Sequence, residues 1–211
     1  MNVAENIEKN KIIAILRGFS PEENIEIITA LYEGGVRLAE ITLNTPDALK
    51  SIKAACSLKM KGLEIGAGTV LTPDQAESAI QAGATYIISP GTDVATIKKS
   101  KELGAMSIPG ALTPSEVITA YQSGADFVKI FPSILGPDYI KDLLGPLDQV
   151  KLVPTGGVNT ENIISYLEAG AVAFGMAGEL LKSNGDNRFH DITRNAQTYM
   201  DLVKSHEANQ I

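Results

Sequence analysis

The sequence predicts an α/β fold, a single-domain (β/α)8 TIM barrel over residues 1–211 with a leading N-terminal helix and a trailing C-terminal helix. Three observations predict it. About eight short apolar runs recur, starting every 20–26 residues, the spacing of one strand plus one crossover helix. Most runs are apolar on both parities, as parallel strands covered on both faces should be. Proline-led caps open the intervening segments and glycines close them. An open doubly wound sheet is disfavoured, because the units reach eight and no Gly-x-Gly-x-x-Gly follows the first strand.

In chain order, Met1 to Lys11 reads as the leading helix and Ile12 to Leu16 as the first strand. The other strands are Leu38 to Leu43, Leu63 to Ala67, Tyr86 to Ser89, Met106 to Pro109, Phe127 to Phe131, Leu152 to Pro154 and Val172 to Gly175. Ser20-Pro21-Glu22-Glu23, Thr72-Pro73-Asp74-Gln75 and Thr113-Pro114-Ser115-Glu116 each supply an N-cap hydroxyl, a proline at the first helical position and a capping-box partner. Thr45-Pro46-Asp47 opens a helix without the box. Gly34-Gly35, Gly83, Gly104, Gly124 and Gly170 end helices, and Asp186 to Glu207 is the trailing helix.

The 211 residues suffice for one domain with a sizeable core. A net charge of −7 with no basic stripe argues against a nucleic-acid partner. The single cysteine, Cys56, has no disulfide partner within the chain and reads as a small apolar helix residue, which fits a reducing cytoplasm. The N-terminus has no signal-peptide core and no run is long enough to span a membrane, so a soluble, intracellular protein is expected.

Chemistry gathers at strand ends, where this barrel places active sites. Lys129 lies within Phe127-Val128-Lys129-Ile130-Phe131. A lysine forced into low dielectric loses affinity for its proton, and a neutral amine is the nucleophile that Schiff-base chemistry needs. The alternative is a strand-end lysine whose head group reaches solvent. Glu40 is the second ionisable group in mid-strand. Facing inward near Lys129 it would shuttle protons; facing outward it would bond a neighbouring helix. Gly156-Gly157, with Asn159 as the cap of the next helix, reads as a phosphate cradle or else a tight turn. The Gly175-Met176-Ala177-Gly178 turn would form its other half. Arg17 could hold a substrate carboxylate or brace the strand ends, and Thr69 could donate to the same group. His190 and His206 fall in the trailing helix, away from every strand end. No His/Cys/Asp cluster has metal-ligand spacing, and no cofactor is expected.

Glu-Ile-Thr-Leu-Asn-Thr (40–45), Gly-Ala-Gly-Thr-Val-Leu (66–71), Ile-Ser-Pro-Gly (88–91), Ile-Pro-Gly-Ala (108–111), Val-Lys-Ile-Phe-Pro-Ser (128–133) and Pro-Thr-Gly-Gly-Val (154–158) occur in this order. Together they resemble the bacterial 2-keto-3-deoxy-6-phosphogluconate (KDPG) aldolases, which also act as 4-hydroxy-2-oxoglutarate aldolases. The resemblance implies a metal-free class I aldolase, usually a trimer. It implies Lys129 as the Schiff-base lysine and Glu40 as general acid/base. Thr69 would hold the pyruvyl carboxylate, Thr155 would face the substrate, Phe131 would wall the pocket, and Gly156 and Gly157 would bind phosphate. Two departures stand out. Asn44 occupies a position where some members carry a carboxylate-binding arginine, a role that Arg17 would take. The turn at Gly178 lacks a serine that many members use on phosphate. A sister group acting on the galactonate epimer typically lacks the threonine before the paired glycines, so Thr155 favours the gluconate substrate. A phosphosugar isomerase or epimerase, or a phosphate-ligand binder without turnover, are the competing readings.

Overall fold

The computed structural model describes residues 1–183 and 185–208; residue 184 and residues 209–211 of the expected domain lie outside it. The elements alternate as α1 (Val3–Asn10), β1 (Ile12–Leu16), α2 (Pro21–Glu33), β2 (Leu38–Thr42), α3 (Ala48–Cys56), β3 (Glu64–Gly68), α4 (Pro73–Gln81), β4 (Tyr86–Ile88) and α5 (Val94–Glu102). They continue as β5 (Met106–Ile108), β6 (Gly110–Ala111), α6 (Pro114–Gln122), β7 (Val128–Ile130), α7 (Gly136–Leu144), β8 (Leu152–Pro154), α8 (Ile163–Glu168), β9 (Phe174–Met176), α9 (Gly178–Leu181) and α10 (Arg188–Ala208).

Strand pairing is parallel in both sheets, a curled six-stranded half-barrel in the order β5-β4-β3-β2-β1-β9 and a three-stranded sheet in the order β6-β7-β8. Pro109 separates β5 from β6, because it has no N–H to give a ladder. Its carbonyl accepts from Lys129 N–H at 2.9 Å, and a parallel bridge joins Thr155 to Gly175 beyond the end of β8.

Strand parity sorts the core into two layers. Ile12, Ala14, Leu16, Ala39, Ile41, Val128, Ile130 and Phe174 pack against the helices. Ile13, Leu38, Tyr86, Ile88, Ile108, Phe127, Val153 and Ala173 form a separate inner cluster with Ile7 of α1. The leading helix therefore closes the end where the strands begin, and Ile7 is fully buried there. Burial of one such side chain stabilises by about 1.5–3 kcal/mol.

The helix caps follow the expected chemistry with three corrections. Ser20 and Thr113 form reciprocal capping boxes with Glu23 and Glu116. Thr72 caps α4, but Gln75 turns its amide oxygen to Leu71 N–H, one residue before the cap. Thr45 caps nothing: its hydroxyl bonds Gly18 N–H and Thr42, and α3 starts after Asp47 with no side-chain cap. Asn159 accepts from the Glu161 and Asn162 amides in a turn ahead of α8, whose cap position is Asn162. Gly83 shows why glycine ends α4: its φ is +112°, and a Cβ there would lie 3.0 Å from Cys56 Sγ. Cys56 is half-buried on α3 and donates to Gly83 C=O at 3.3 Å. Ser20→Ala should lower stability by about 1 kcal/mol. Thermal unfolding should then shift down by about 2–4 °C.

The trailing helix α10 packs on α2, so closely at Gly34 that a Cβ there would lie 2.5 Å from Ala196 Cβ. His190 is exposed on it and His206 is partly buried. No described helix is long and apolar enough to cross a membrane.

Candidate active site

The candidate residues follow from the inner parity by a two-residue step. Leu38, Phe127, Val153 and Ala173 belong to the inner cluster. Two residues further along the same strands come Glu40, Lys129, Thr155 and Gly175, and Ile13 leads in the same way to Ile15 and Arg17. Side chains at that spacing share a face, so the polar layer sits on the apolar one toward the C-terminal strand ends.

Glu40 is 1 % exposed and pairs in register with Ile15 and Gly66. Its carboxyl lies over the bare Cα of Gly68: a Cβ there would fall 2.8 Å from Cδ and 2.9 Å from both oxygens. Glu40 Oε2 has no hydrogen-bond partner among the described residues. Burial pushes the Glu40 carboxyl above its ordinary pKa, and the charges of Lys129 and Arg17 pull part of the way back. A carboxyl in that state can both accept and release a proton. Lys129 is 7 % exposed, flanked in register by Gly110 and Val153. Its Nζ lies 4.8 Å from the centre of the Phe131 ring. Gly68→Ala should displace the Glu40 carboxyl and lower kcat by about 10²-fold, since small misplacements of a reacting group have that effect. Steady-state kinetics on the purified variant would measure it, with unchanged unfolding temperature as the control.

A cavity of about 490 Å³ is lined by Arg17, Phe131, Thr155, Gly156, Gly157 and Gly178, with Ile15 and Met176 among its apolar wall. Arg17 Nη2 reaches Thr69 Oγ1 at 3.4 Å, and Thr69 holds a left-handed φ of +55°. Thr155 is buried, and its Oγ1 fills the place of a Cβ at Gly175, 2.4 Å away. Gly156 and Gly157 have φ of +88° and +78°. Their amides donate to no protein group among the described residues, while their carbonyls accept from Ser133 Oγ and Asn162 Nδ2. The loop thus presents donors to the cavity, the arrangement that cradles an anion. Five of the eight candidate residues, Arg17, Phe131, Thr155, Gly156 and Gly157, line that cavity; Thr69 meets Arg17, Lys129 lies against Phe131, and Glu40 is in register with Ile15 of the cavity wall. Asn44 is exposed and does not line the cavity, whereas Gly178 does.

Sequence reading missed Ser133, Asn162 and Tyr166 as supports of this loop. Tyr166 donates its hydroxyl to Ser133 C=O at 2.9 Å, and Ser133 N–H donates to Thr155 C=O at 3.0 Å. The only local hint was a serine three residues beyond the end of β7, the strand carrying Lys129.

The family model for KDPG and KHG aldolases matches residues 3–195. The chain belongs to the KDPG and KHG aldolase family. It is a class I aldolase, a carbon–carbon lyase. Among similar aldolases, the probable 2-dehydro-3-deoxy-6-phosphogalactonate aldolase of Rhizobium meliloti is 38% identical, covering 84% of this chain and 86% of that protein. The 2-dehydro-3-deoxy-phosphogluconate aldolase of Haemophilus influenzae is 30% identical, covering 96% and 97%. A solved structure described as native KDPGal superposes with a TM-score of 0.87 at 32% identity, over 93% of this chain and 96% of its own. The KDPG aldolase of Legionella pneumophila, with pyruvate captured as a covalent carbinolamine, superposes at 0.85 with 27% identity, over 93% and 97%. Relatives named for both epimers are therefore within reach of this aldolase.

Proposed function

We propose that the chain cleaves 2-keto-3-deoxy-6-phosphogluconate to pyruvate and glyceraldehyde 3-phosphate, and 4-hydroxy-2-oxoglutarate to pyruvate and glyoxylate. The observation that carries this reading is a buried carboxyl and a buried lysine on one inner face, the lysine against Phe131, which with Gly156 and Gly157 lines the cavity. The two sheets are read as arcs of one closed (β/α)8 barrel spanning residues 1–211. Support comes from the Thr155–Gly175 bridge on one side and the bond from Lys129 to Pro109 on the other. The family resemblance supports a homotrimer. A single cysteine supports a cytoplasmic setting.

In this reading the unprotonated Lys129 amine adds to the C2 ketone, and loss of water gives an iminium. Glu40 takes the proton of the C4 hydroxyl. The C3–C4 bond breaks and its electron pair flows into the iminium, leaving an enamine while the aldehyde departs. Glu40 returns the proton to C3, and water hydrolyses the resulting iminium to pyruvate and free lysine. Arg17 and Thr69 hold the carboxylate, Phe131 walls the lysine, and the Gly156 and Gly157 amides hold the phosphate. With no serine in the Gly178 turn, backbone donors supply that contact.

The test is reduction with borohydride in the presence of pyruvate. A carboxyethyl group on Lys129 blocks trypsin there and marks one fused peptide from Glu102 to Lys141. An unmodified Lys129 peptide would sink the Schiff-base assignment, and with it favour an isomerase or a binder. The galactonate epimer is the second reading, favoured by the names of the Rhizobium relative and of the KDPGal structure. Both epimers give the same products, so each must be assayed as a separate substrate. Thr155→Val should reduce kcat/KM for the gluconate epimer about 10-fold more than for the galactonate epimer, the scale of one lost hydrogen bond. An equal loss on both would remove Thr155 as the selecting residue.

A further inference from the structure

Tyr86 has no part in the chemistry above, yet it shares an unusual condition with Glu40. Its hydroxyl is fully buried and unpartnered among the described residues, as is Glu40 Oε2. Buried polar groups are paired in native proteins, so two such atoms at one site call for an explanation. Both belong to side chains that flank the same residue. Gly66 of β3 pairs in register with Glu40 on β2 and with Tyr86 on β4.

Bare glycine makes the approach possible. The Tyr86 ring lies across Gly66, with Cε2, Cδ2 and Cζ 2.1, 2.3 and 2.5 Å from where a Cβ would stand. Two residues further on the same face, the Glu40 carboxyl lies across Gly68. The two glycines thus form one floor on which the phenol and the carboxyl rest side by side. Burial holds the phenol well above its ordinary pKa, and the Glu40 charge acts on it more strongly than the Glu64 charge does. The hydroxyl therefore keeps its proton and is a donor. The Gly66 N–H approaches the phenol oxygen without completing a hydrogen bond, so that proton is uncommitted.

We propose that Tyr86 is a positioning residue for the aldol cleavage: its hydroxyl donates through one buried water to Glu40 Oε2, leaving the other carboxyl oxygen to exchange protons with substrate. The inference rests on Glu40 being the proton carrier. A carboxylate with two free oxygens can rotate and offer either. One with a donor fixed on Oε2 presents a single oxygen in a single direction, which favours proton transfer in a defined geometry. The other charged or titratable groups facing Glu40 are Lys129 from β7 and Arg17 beyond β1. The strands paired with β2 set Ile15 of β1 and Gly66 and Gly68 of β3 beside Glu40, none with a titratable side chain.

Tyr86→Phe keeps the ring over Gly66 and removes the hydroxyl alone. Its kcat for cleavage should fall about 10-fold with KM nearly unchanged, and solvent deuterium should enter the pyruvate methyl group about 10-fold more slowly. The acid limb of kcat/KM should move up by about one pH unit, because the carboxylate has lost a donor that favoured its charged form. In the Glu40→Gln background the same change should add no further loss. An unaltered exchange rate and pH profile in a folded Tyr86→Phe protein would overturn the proposal, as would an additive loss in the double variant. A crystal structure of the wild-type enzyme tests it without any variant: a water within hydrogen-bond distance of both atoms is expected, and its absence would overturn the bridge. Borohydride trapping of pyruvate separates this inference from the reading beneath it. Wild-type protein that traps pyruvate on Lys129 while Tyr86→Phe behaves as wild type leaves the aldolase assignment standing and removes only Tyr86. Failure of the wild type to trap removes the assignment itself.

Discussion

Lys129→Met should abolish aldol cleavage, with kcat down by on the order of 10⁴-fold or more, and should also lower stability. The two halves have one cause. The lysine is 7 % exposed, between Gly110 and Val153 on an inner face whose next layer is wholly apolar. Methionine has nearly the same length and fills the same volume without a charge. Removing one of two interacting buried charges is destabilising, because the other is left uncompensated: the Lys129 charge draws the raised Glu40 pKa back down, so a loss of up to about 3 kcal/mol is expected. Thermal unfolding should fall by about 2–4 °C per kcal/mol lost. Borohydride trapping with pyruvate should disappear in the same sample. Residual trapping on another lysine would move the nucleophile elsewhere, and an unchanged or raised unfolding temperature would show that Glu40 does not depend on the ammonium.

Glu40→Gln should slow turnover by about 10²–10⁴-fold and spare the covalent step. The amide keeps the shape that rests on Gly68 but cannot carry a proton between C4 and C3. Pyruvate should still be trapped on Lys129, and substrate should accumulate as the uncleaved imine, visible by mass after reduction. The same variant has a stability signature whose sign follows from burial. Glu40 is raised above its ordinary value of 4.5 by burial, so between 4.5 and its folded-state pKa the native protein holds a proton that the unfolded chain has released. Wild-type stability from this group therefore falls as pH rises through that window, and the full cost of the buried charge is felt above it. Glutamine carries no such cost. The unfolding temperature of Glu40→Gln relative to wild type should thus increase from pH 4.5 upward and level off, and a difference independent of pH would contradict a buried, raised carboxyl.

Local sequence chemistry located the elements well where a side chain acts on its own neighbourhood. Ser20 and Thr113 cap helices because hydroxyl, proline and acid lie within four residues of each other. It misled where a local group was taken by a distant one. Thr45 has the same Thr-Pro motif, yet its hydroxyl serves Gly18 N–H, 27 residues away in sequence, and Thr42. Gly156-Gly157 was readable as a cradle, but Ser133 and Asn162, which hold its carbonyls by hydrogen bonds, were not. Ser133 comes from another strand end, and Asn162 occupies the cap position that the sequence assigns to Asn159.

The sequence by itself determined the alternation of strands and helices and, through six ordered motifs, the family. These are properties of residues a few positions apart, fixed by the period of the strand and the geometry of the cap. Only the tertiary structure decided how β3 sits between β2 and β4. That register puts Gly66 between Glu40 and Tyr86, lays the Glu40 carboxyl on Gly68, and leaves two buried oxygens facing a common floor. Register is set by hydrogen bonds and packing between segments some 20 residues apart. A glycine left bare for another strand's side chain reads, in its own strand, like any other glycine.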